Sequence, residues 1–359
     1  MKYFDNASTT WVYPECIEII NDILKNCWGN PSNIYDFGLK ANEIVEASRK
    51  TIADTLKVLP EEIIFVSSAS EGNAFAISQG NSAFVSPYEH HDILDNPKCV
   101  VVKEDFKYNY GAAPLQSVRS HMWVNNETGQ IFDIDDIFKK AKKGCMLTHC
   151  DATQALGNIE VYPHDHPDVD IMTFGGHKVH APKGQSFMYV RKEVQDKLKP
   201  LIYGSQENHL RGSTENVHQI AALALAVEKA CNPEVVRKKI LSTTVMRYKL
   251  IKEFDASGLD YMTNLGEVNC SSTLNVSFKG VNGDALVLVL NDLGFSVSTG
   301  SACNTGDLKP STVLTEMGVP EDYIYGTIRI SFDPTINSEE DVKELGEAIV
   351  KAVRNIKVN

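Results

Sequence analysis

The stretch "DIMTFGGHKVHAPKG" runs from apolar residues into Gly175 and Gly176, then presents His177 and Lys178 ahead of a proline and glycine loop. A lysine held directly after a buried strand sits in a desolvated pocket, where its pKa falls and its amine becomes able to form a Schiff base. Pyridoxal 5'-phosphate asks this of a lysine, and each of its other needs can be matched by a residue type. A carboxylate at a neighbouring strand end keeps the pyridine nitrogen protonated; Asp151 closes "MLTHCD", and Gln154 follows it. Backbone N–H groups and hydroxyls at a helix N-terminus hold the phosphate, and "SSASEGN" offers both after "IIFV", with Ser70 foremost. His90 in "SPYEHHDIL" is flat enough to stack on the ring and titrates near neutral pH. An amino-acid substrate carries a carboxylate, best gripped by an arginine fork. In "TIRISF", Ile328, Ile330 and Phe332 alternate with Thr327, Arg329 and Ser331, which puts Arg329 on the polar face of its strand. Finally, "STGSACNTG" surrounds Cys303 with glycines and small polar residues, a setting for a solvent-reachable nucleophile rather than a packed core thiol. Each residue type has a commoner use as a helix cap, a turn or a solvated face, so the joint occurrence carries the argument.

Positioning these groups calls for strand ends. Short apolar runs recur with helix-like stretches between them: "IIFVS" at 63, "CVVV" at 99, "HMWVN" at 121, "MLTHCD" at 146, "DIMTF" at 170 and "SFMYV" at 186. That alternation predicts an α/β domain with a mostly parallel sheet. Ala41, Ile44, Val45, Ser48 and Ile52 recur at helical spacing and predict a helix packed on the sheet. After "HQIAALALAVEKAC", apolar on most sides, a charged helix, a loop around Asn264 to Ser272, the strands "TLNVSF" and "TIRISF" and a last helix opening at Ser338 predict a second, smaller α+β domain. The expected organisation is a large domain over 15–232, with 1–14 and 233–359 forming the small one.

Composition narrows the function. A chain of 359 residues, 43% hydrophobic and with a net charge of −12, is an ordinary globular sequence without the basic block that a nucleic-acid partner would require. The opening "MKYFDNASTT" lacks the apolar core of a signal peptide, and "DALVLVL" is too short to span a bilayer, so no membrane association and a cytoplasmic location are expected. Eight scattered cysteines without CxxC pairing point to reduced thiols, not to zinc or disulfides.

In order, "YFDNASTT", "GNPSNIYDFG", "VNNETG", "HCDATQALG", "GGHKVHAPKG", "LRGSTENVHQ", "TLNVSF" and "STGSACNTGDLKPSTVL" closely resemble the cysteine desulfurases, pyridoxal-phosphate enzymes of the class V aminotransferase family with fold type I. The resemblance implies that Lys178 is the Schiff-base lysine, Asp151 the partner of the pyridine nitrogen, Gln154 the contact to the ring's phenolic oxygen and His90 the stacking histidine. By the same resemblance, Asn126 orients substrate and ring, Ser70 and His177 contact the phosphate, and Thr214 reaches it from the other subunit of a homodimer. Arg329 resembles the substrate-carboxylate clamp. Cys303, in a loop of the long, iron-sulfur-cluster type, resembles the nucleophile that takes sulfur from L-cysteine as a persulfide for an acceptor protein and leaves L-alanine. A related lyase or aminotransferase, selenocysteine lyase among them, and a degenerate partner-binding member are the alternatives. Three departures stand out: Gly175 where many relatives have a phosphate-binding serine, Ser70 where threonine is usual, and a stretch from about 73 to 121 that looks short. The chain also ends soon after its last helix, which makes delivery to a scaffold protein a weaker expectation than sulfur mobilisation.

Overall fold

A computed structural model describes residues 1–103, 117–299 and 310–357. Its strands in chain order are β1 (Lys2–Tyr3), β2 (Ile63–Val66), β3 (Ser82–Val85), β4 (Cys99–Val101), β5 (Ser117–Ser120), β6 (Leu147–Asp151), β7 (Ile171–Phe174), β8 (Ser186–Val190), β9 (Tyr261–Thr263), β10 (Thr273–Phe278), β11 (Phe295–Ser296) and β12 (Thr327–Ser331). The chain divides into two compact units. The larger comprises Thr10–Trp123 and Asp133–Val235, and the smaller comprises Met1–Thr9, Val124–Phe132 and Val236–Asn359.

The larger unit is built on a seven-stranded sheet in the order β2-β8-β7-β6-β5-β3-β4. β4, β3, β5, β6 and β7 pair in parallel, while β8 is antiparallel to both β7 and β2. β2 therefore runs in the same direction as β7, and the carboxyl ends of β2, β3, β5, β6 and β7 share one edge. Ligands of open α/β sheets bind along that edge. β2, β7 and β8 read as largely apolar runs because both faces are covered, whereas β5 and β6 bury polar side chains. Ile64, Val66, Ile171, Met188 and Val190 are buried against Phe75 and Ala76 of the helix Ala69–Ser78. The predicted early helix spans Asp36–Leu56, with Ala41, Val45, Ser48 and Ile52 buried. Its Arg49 forks onto Glu207 at 2.8 Å from both terminal nitrogens, and Glu207 also accepts from Phe65 N at 2.7 Å, which ties helix and loop to β2.

One strand expectation changes, and one strand was not anticipated. "HMWVN" is not a strand: β5 lies just before it in "SVRS", and His121 to Val124 form a buried irregular segment. The reason is pairing, since Val118 and Ser120 align with β6 and Ser82 to Val85 with β5 across the sheet. The four-residue β3, flanked by Gly80 and Asn81, gave no signal of its own.

The smaller unit carries the antiparallel sheet β12-β10-β9 and the pair β1-β11. Its last helix, Glu339–Lys357, is capped by Ser338, whose hydroxyl accepts from Asp341 N at 3.1 Å. Val342, Leu345, Ile349 and Val353 from its apolar stripe join Leu274, Val276, Ile328 and Ile330 in one core. No described helix is long and apolar enough to cross a membrane, and the seven described cysteines are free.

Candidate active site

In the larger unit the candidate residues gather beyond the shared carboxyl edge. Asp151 is the last residue of β6. Lys178 ends the single turn Gly176–Lys178 after β7, Ser70 opens the helix after β2, and His90 follows β3 by way of a short turn. The Lys178 turn is held from two sides. Lys178 N donates to Gly175 O at 3.1 Å. Thr10 bonds His177 O through both N and Oγ1 at 3.0 Å, and its Oγ1 also accepts from His180 N at 2.7 Å. A side chain at 176 would meet Gln185 O at 2.5 Å and Leu223 Cδ1 at 2.7 Å, so glycine is the residue that lets this turn approach the sheet.

Asp151 is buried, and its recorded donors are neutral amides: Asn73 Nδ2 at 3.0 Å and Thr153 N at 2.9 Å. Burial first, and then the charge of Asp92, push its pKa up. His90 Nδ1 lies 3.0 Å from Asp92 Oδ1, an ion pair that raises the His90 pKa against its burial. Ser70 also bonds the Asp92 carboxylate. His177, half-buried and flanked by the charges of Lys178 and Lys183, is pushed down to about 4 and is a neutral imidazole near pH 7. Gln154 is buried nearby in sequence, and Thr214 is exposed in the "LRGST" loop, which Arg211 anchors to Glu71 of the Ser70 helix at 2.9 Å. At Gly175 an added Cβ would lie 2.8 Å from Thr153 Cγ2, so the threonine fills the place a serine side chain would take.

A polar layer lies behind Asp151. Ser120 Oγ donates to the buried Glu89 at 2.8 Å. His149 Nδ1 shares a hydrogen bond with Ser120 Oγ at 2.9 Å, and His149 Nε2 one with Thr173 Oγ1 at 3.0 Å. Burial holds Glu89 up at about 8 and His149 down at about 3.

The smaller unit brings Arg329 and Asn126 together. β12 is buried along its whole length, so Arg329 is not on a solvated face; it is 3% exposed. Its Nη1 donates to Asn126 O at 2.8 Å, and its Nη2 donates to Asp5 Oδ1 at 2.7 Å and Ser8 Oγ at 2.6 Å, which leaves Nε without a partner among the described residues. Ser298 pairs with Arg329 through two backbone bonds, at 2.6 and 3.1 Å. Ser311 caps the helix Thr312–Glu316 and donates to Glu127 Oε2 at 2.6 Å. These two anchors bracket residues 300–309, and Cys303 lies there, outside the described residues. Sequence reasoning missed Asn73, Glu89, Asp92, Asp5 and Ser8. The i, i+2 spacing of His90 and Asp92 was the one visible signal.

Comparison with known proteins decides the family. The class-V aminotransferase family model matches residues 2–95 and 113–345. The chain belongs to that family. Its match breaks off over 96–112, inside the stretch expected to be short. A cysteine desulfurase IscS of Methanosarcina thermophila is 32% identical, covering 99% of this chain and 92% of its own. A solved NifS-like protein superposes with a TM-score of 0.88 at 29% identity, covering 99% of this chain and all of that one. A structure described as SspA in complex with cysteine gives 0.78 at 29% identity, over 93% of this chain and 99% of its own. The α/β architecture with its mostly parallel sheet is that of this family, consistent with fold type I.

Proposed function

We propose that the chain is a homodimeric, cytoplasmic, pyridoxal-phosphate-dependent cysteine desulfurase that converts L-cysteine to L-alanine and passes the sulfur through Cys303 to an acceptor protein. The observation that carries this reading is Asp151. It is a buried carboxylate at the carboxyl end of a parallel strand, met by neutral amides and by a second carboxylate, in a chain related over nearly its whole length to cysteine desulfurases. A buried anion without a cation is costly, and a protonated pyridine nitrogen supplies the missing charge.

The residues present fit the cofactor. Lys178 would hold it covalently, Asp151 would meet its ring nitrogen, and Gln154 its phenolic oxygen. His90 would stack on the ring. Ser70 and the neutral His177 would hold the phosphate from one subunit, and Thr214, exposed in this chain, from the other. When bound, the cofactor would supply an electron sink that makes the substrate's α-proton removable and takes up the electron pair left on carbon when the carbon–sulfur bond breaks.

This chain's own residues then do the rest. Arg329 grips the substrate carboxylate, and Asn126 orients the substrate. Lys178 Nζ takes the proton from the substrate's Cα, and the His90 imidazole would stand by as a second proton-exchanging group. The Cys303 thiolate attacks the substrate sulfur. A sulfur–sulfur bond forms as the carbon–sulfur bond breaks, the electron pair stays with the carbon skeleton, and protonation completes alanine.

The test is release of sulfide and alanine from L-cysteine in the presence of a thiol reductant. Equal amounts of both from wild type, lost in Cys303→Ala, are expected. Turnover unchanged in that variant would overturn the role of the thiol, which aminotransfer does not need.

A further inference from the structure

Asp92 stands two residues beyond His90, within the short helix His91–Leu94, and three side chains converge on it. Its Oδ1 lies 3.0 Å from His90 Nδ1. Its two carboxylate oxygens accept from Asn73 Nδ2 at 3.2 and 3.4 Å, and Ser70 adds a third bond. The Asn73 amide spends its other N–H on Asp151 Oδ2 at 3.0 Å. One amide thus bridges two carboxylates. The orientation of that amide is fixed by chemistry, because the reversed one would aim its oxygen at two anions.

Asp92 also meets His90 in a second way. Its backbone N lies 3.3 Å from the same Nδ1. The carboxylate can serve only an Nδ1 that carries a proton, and the backbone N–H only one that does not. One residue therefore faces both states of the imidazole, and its carboxylate tips the balance. We propose that Asp92 is a positioning residue for the desulfurase reaction: its carboxylate keeps a proton on His90 Nδ1 and, through Asn73, fixes His90 relative to Asp151. This rests on the cofactor-dependent function proposed above, in which His90 lies over the ring whose nitrogen Asp151 meets.

The charges around His90 agree. Asp92 and Asp151 favour its protonated form, while Lys178 and burial oppose it. Glu89 and Arg119 act one step removed, through the carboxylates. The Asp92 carboxylate stays ionised in spite of its burial because His90, Ser70 and Asn73 all bond it.

The experiment is an NMR titration of the imidazoles in histidine-labelled protein prepared without cofactor, with His90→Gln assigning the resonance. Asp92→Asn keeps the shape and an acceptor but removes the charge. Proton affinity of His90 is expected to fall by roughly tenfold in this variant, and Asp92→Glu to restore part of it. In the cofactor-loaded enzyme, the limb of the sulfide-release pH profile that Asp92→Asn moves should shift toward acid by a similar amount. An unchanged His90 titration in Asp92→Asn, or a shifted titration with an unchanged pH profile, overturns the proposal. Absence of sulfide from loaded wild type, with the imidazole shift present, would instead count against the desulfurase function.

Discussion

Asp151 in the larger unit and Arg329 in the smaller are both buried charges on a sheet, yet they are met in opposite ways. Arg329 finds a carboxylate, a hydroxyl and a carbonyl within 2.8 Å, while Asp151 finds two neutral amides and a neighbouring anion. A buried cation with its partners in place is a folded element that also has a spare N–H to offer. Among the described residues the Asp151 carboxylate accepts from uncharged amides, and burial with the charge of Asp92 pushes its pKa up. The difference teaches that the smaller unit meets its buried charge with a counter-charge, whereas the larger one meets its own with neutral amides, the asymmetry on which the proposed function rests.

The largest expected effect follows from removing the grip. Arg329→Ala loses charge-assisted hydrogen bonds worth about 1.5–3 kcal/mol each, so KM for L-cysteine should rise by roughly 10²-fold or more. Cofactor absorbance should be retained, because every proposed cofactor contact except Asn126 lies in the larger unit. Asp5→Asn sharpens the contrast: with its carboxylate partner gone the guanidinium is freer, and KM should fall a few-fold. A rise in KM for Asp5→Asn would show that the pair positions Arg329 rather than competing for it.

The anion-rich side of the comparison is tested by pH. Glu89 is held at about 8 when folded, above the ordinary 4.5. The unfolded chain therefore releases that proton first, and stability should fall as pH rises from about 4.5 to about 8. His149 acts at the other end. Its folded value of about 3 lies below the ordinary 6.5, so the unfolded chain binds the proton first and stability should fall as pH drops through that interval. Glu89→Gln removes only the first loss. In urea unfolding at about pH 5 and about pH 8, His149 adds stability as pH rises and offsets part of the Glu89 loss, so wild type should lose about 1–2 kcal/mol across the interval while the variant, left with the His149 contribution, should gain about as much. Parallel behaviour of the two would mean that Glu89 is ionised in the folded protein.

Legibility in the sequence divides along the same line. β2, β7 and β8 were readable because strands buried on both faces become largely apolar runs. The last helix was readable from its cap and stripe. β5 was not, since Arg119 and Ser120 are polar yet buried. Arg119 reaches Phe84 O at 3.3 Å and Ser120 links Glu89 to His149, and these long-range partners leave no local trace. For the same reason Asp151, Lys178 and His90 could be picked out singly by chemical type, whereas Asn73 and Asp92, which join them, depend on helix and turn folding back onto the strand ends. Asp5 and Arg329 stand at opposite ends of the chain, and only the packing of β12 reveals the pair.

Gly175 carries the smallest effect and the finest test. The serine expected there from the family resemblance would bring an extra hydroxyl to the phosphate, but in this chain its Cβ would sit 2.8 Å from Thr153 Cγ2. Gly175→Ser alone should therefore strain the turn that carries Lys178, at a cost of about 1 kcal/mol, and weaken cofactor retention on dialysis rather than improve it. Thr153→Ala opens the space. If glycine and threonine are paired in this way, the double variant should hold cofactor at least as well as wild type, a non-additive outcome of the kind that neighbouring residues produce. Additive losses in the double variant would mean that Thr153 serves the cofactor itself and that Gly175 is simply a missing hydroxyl.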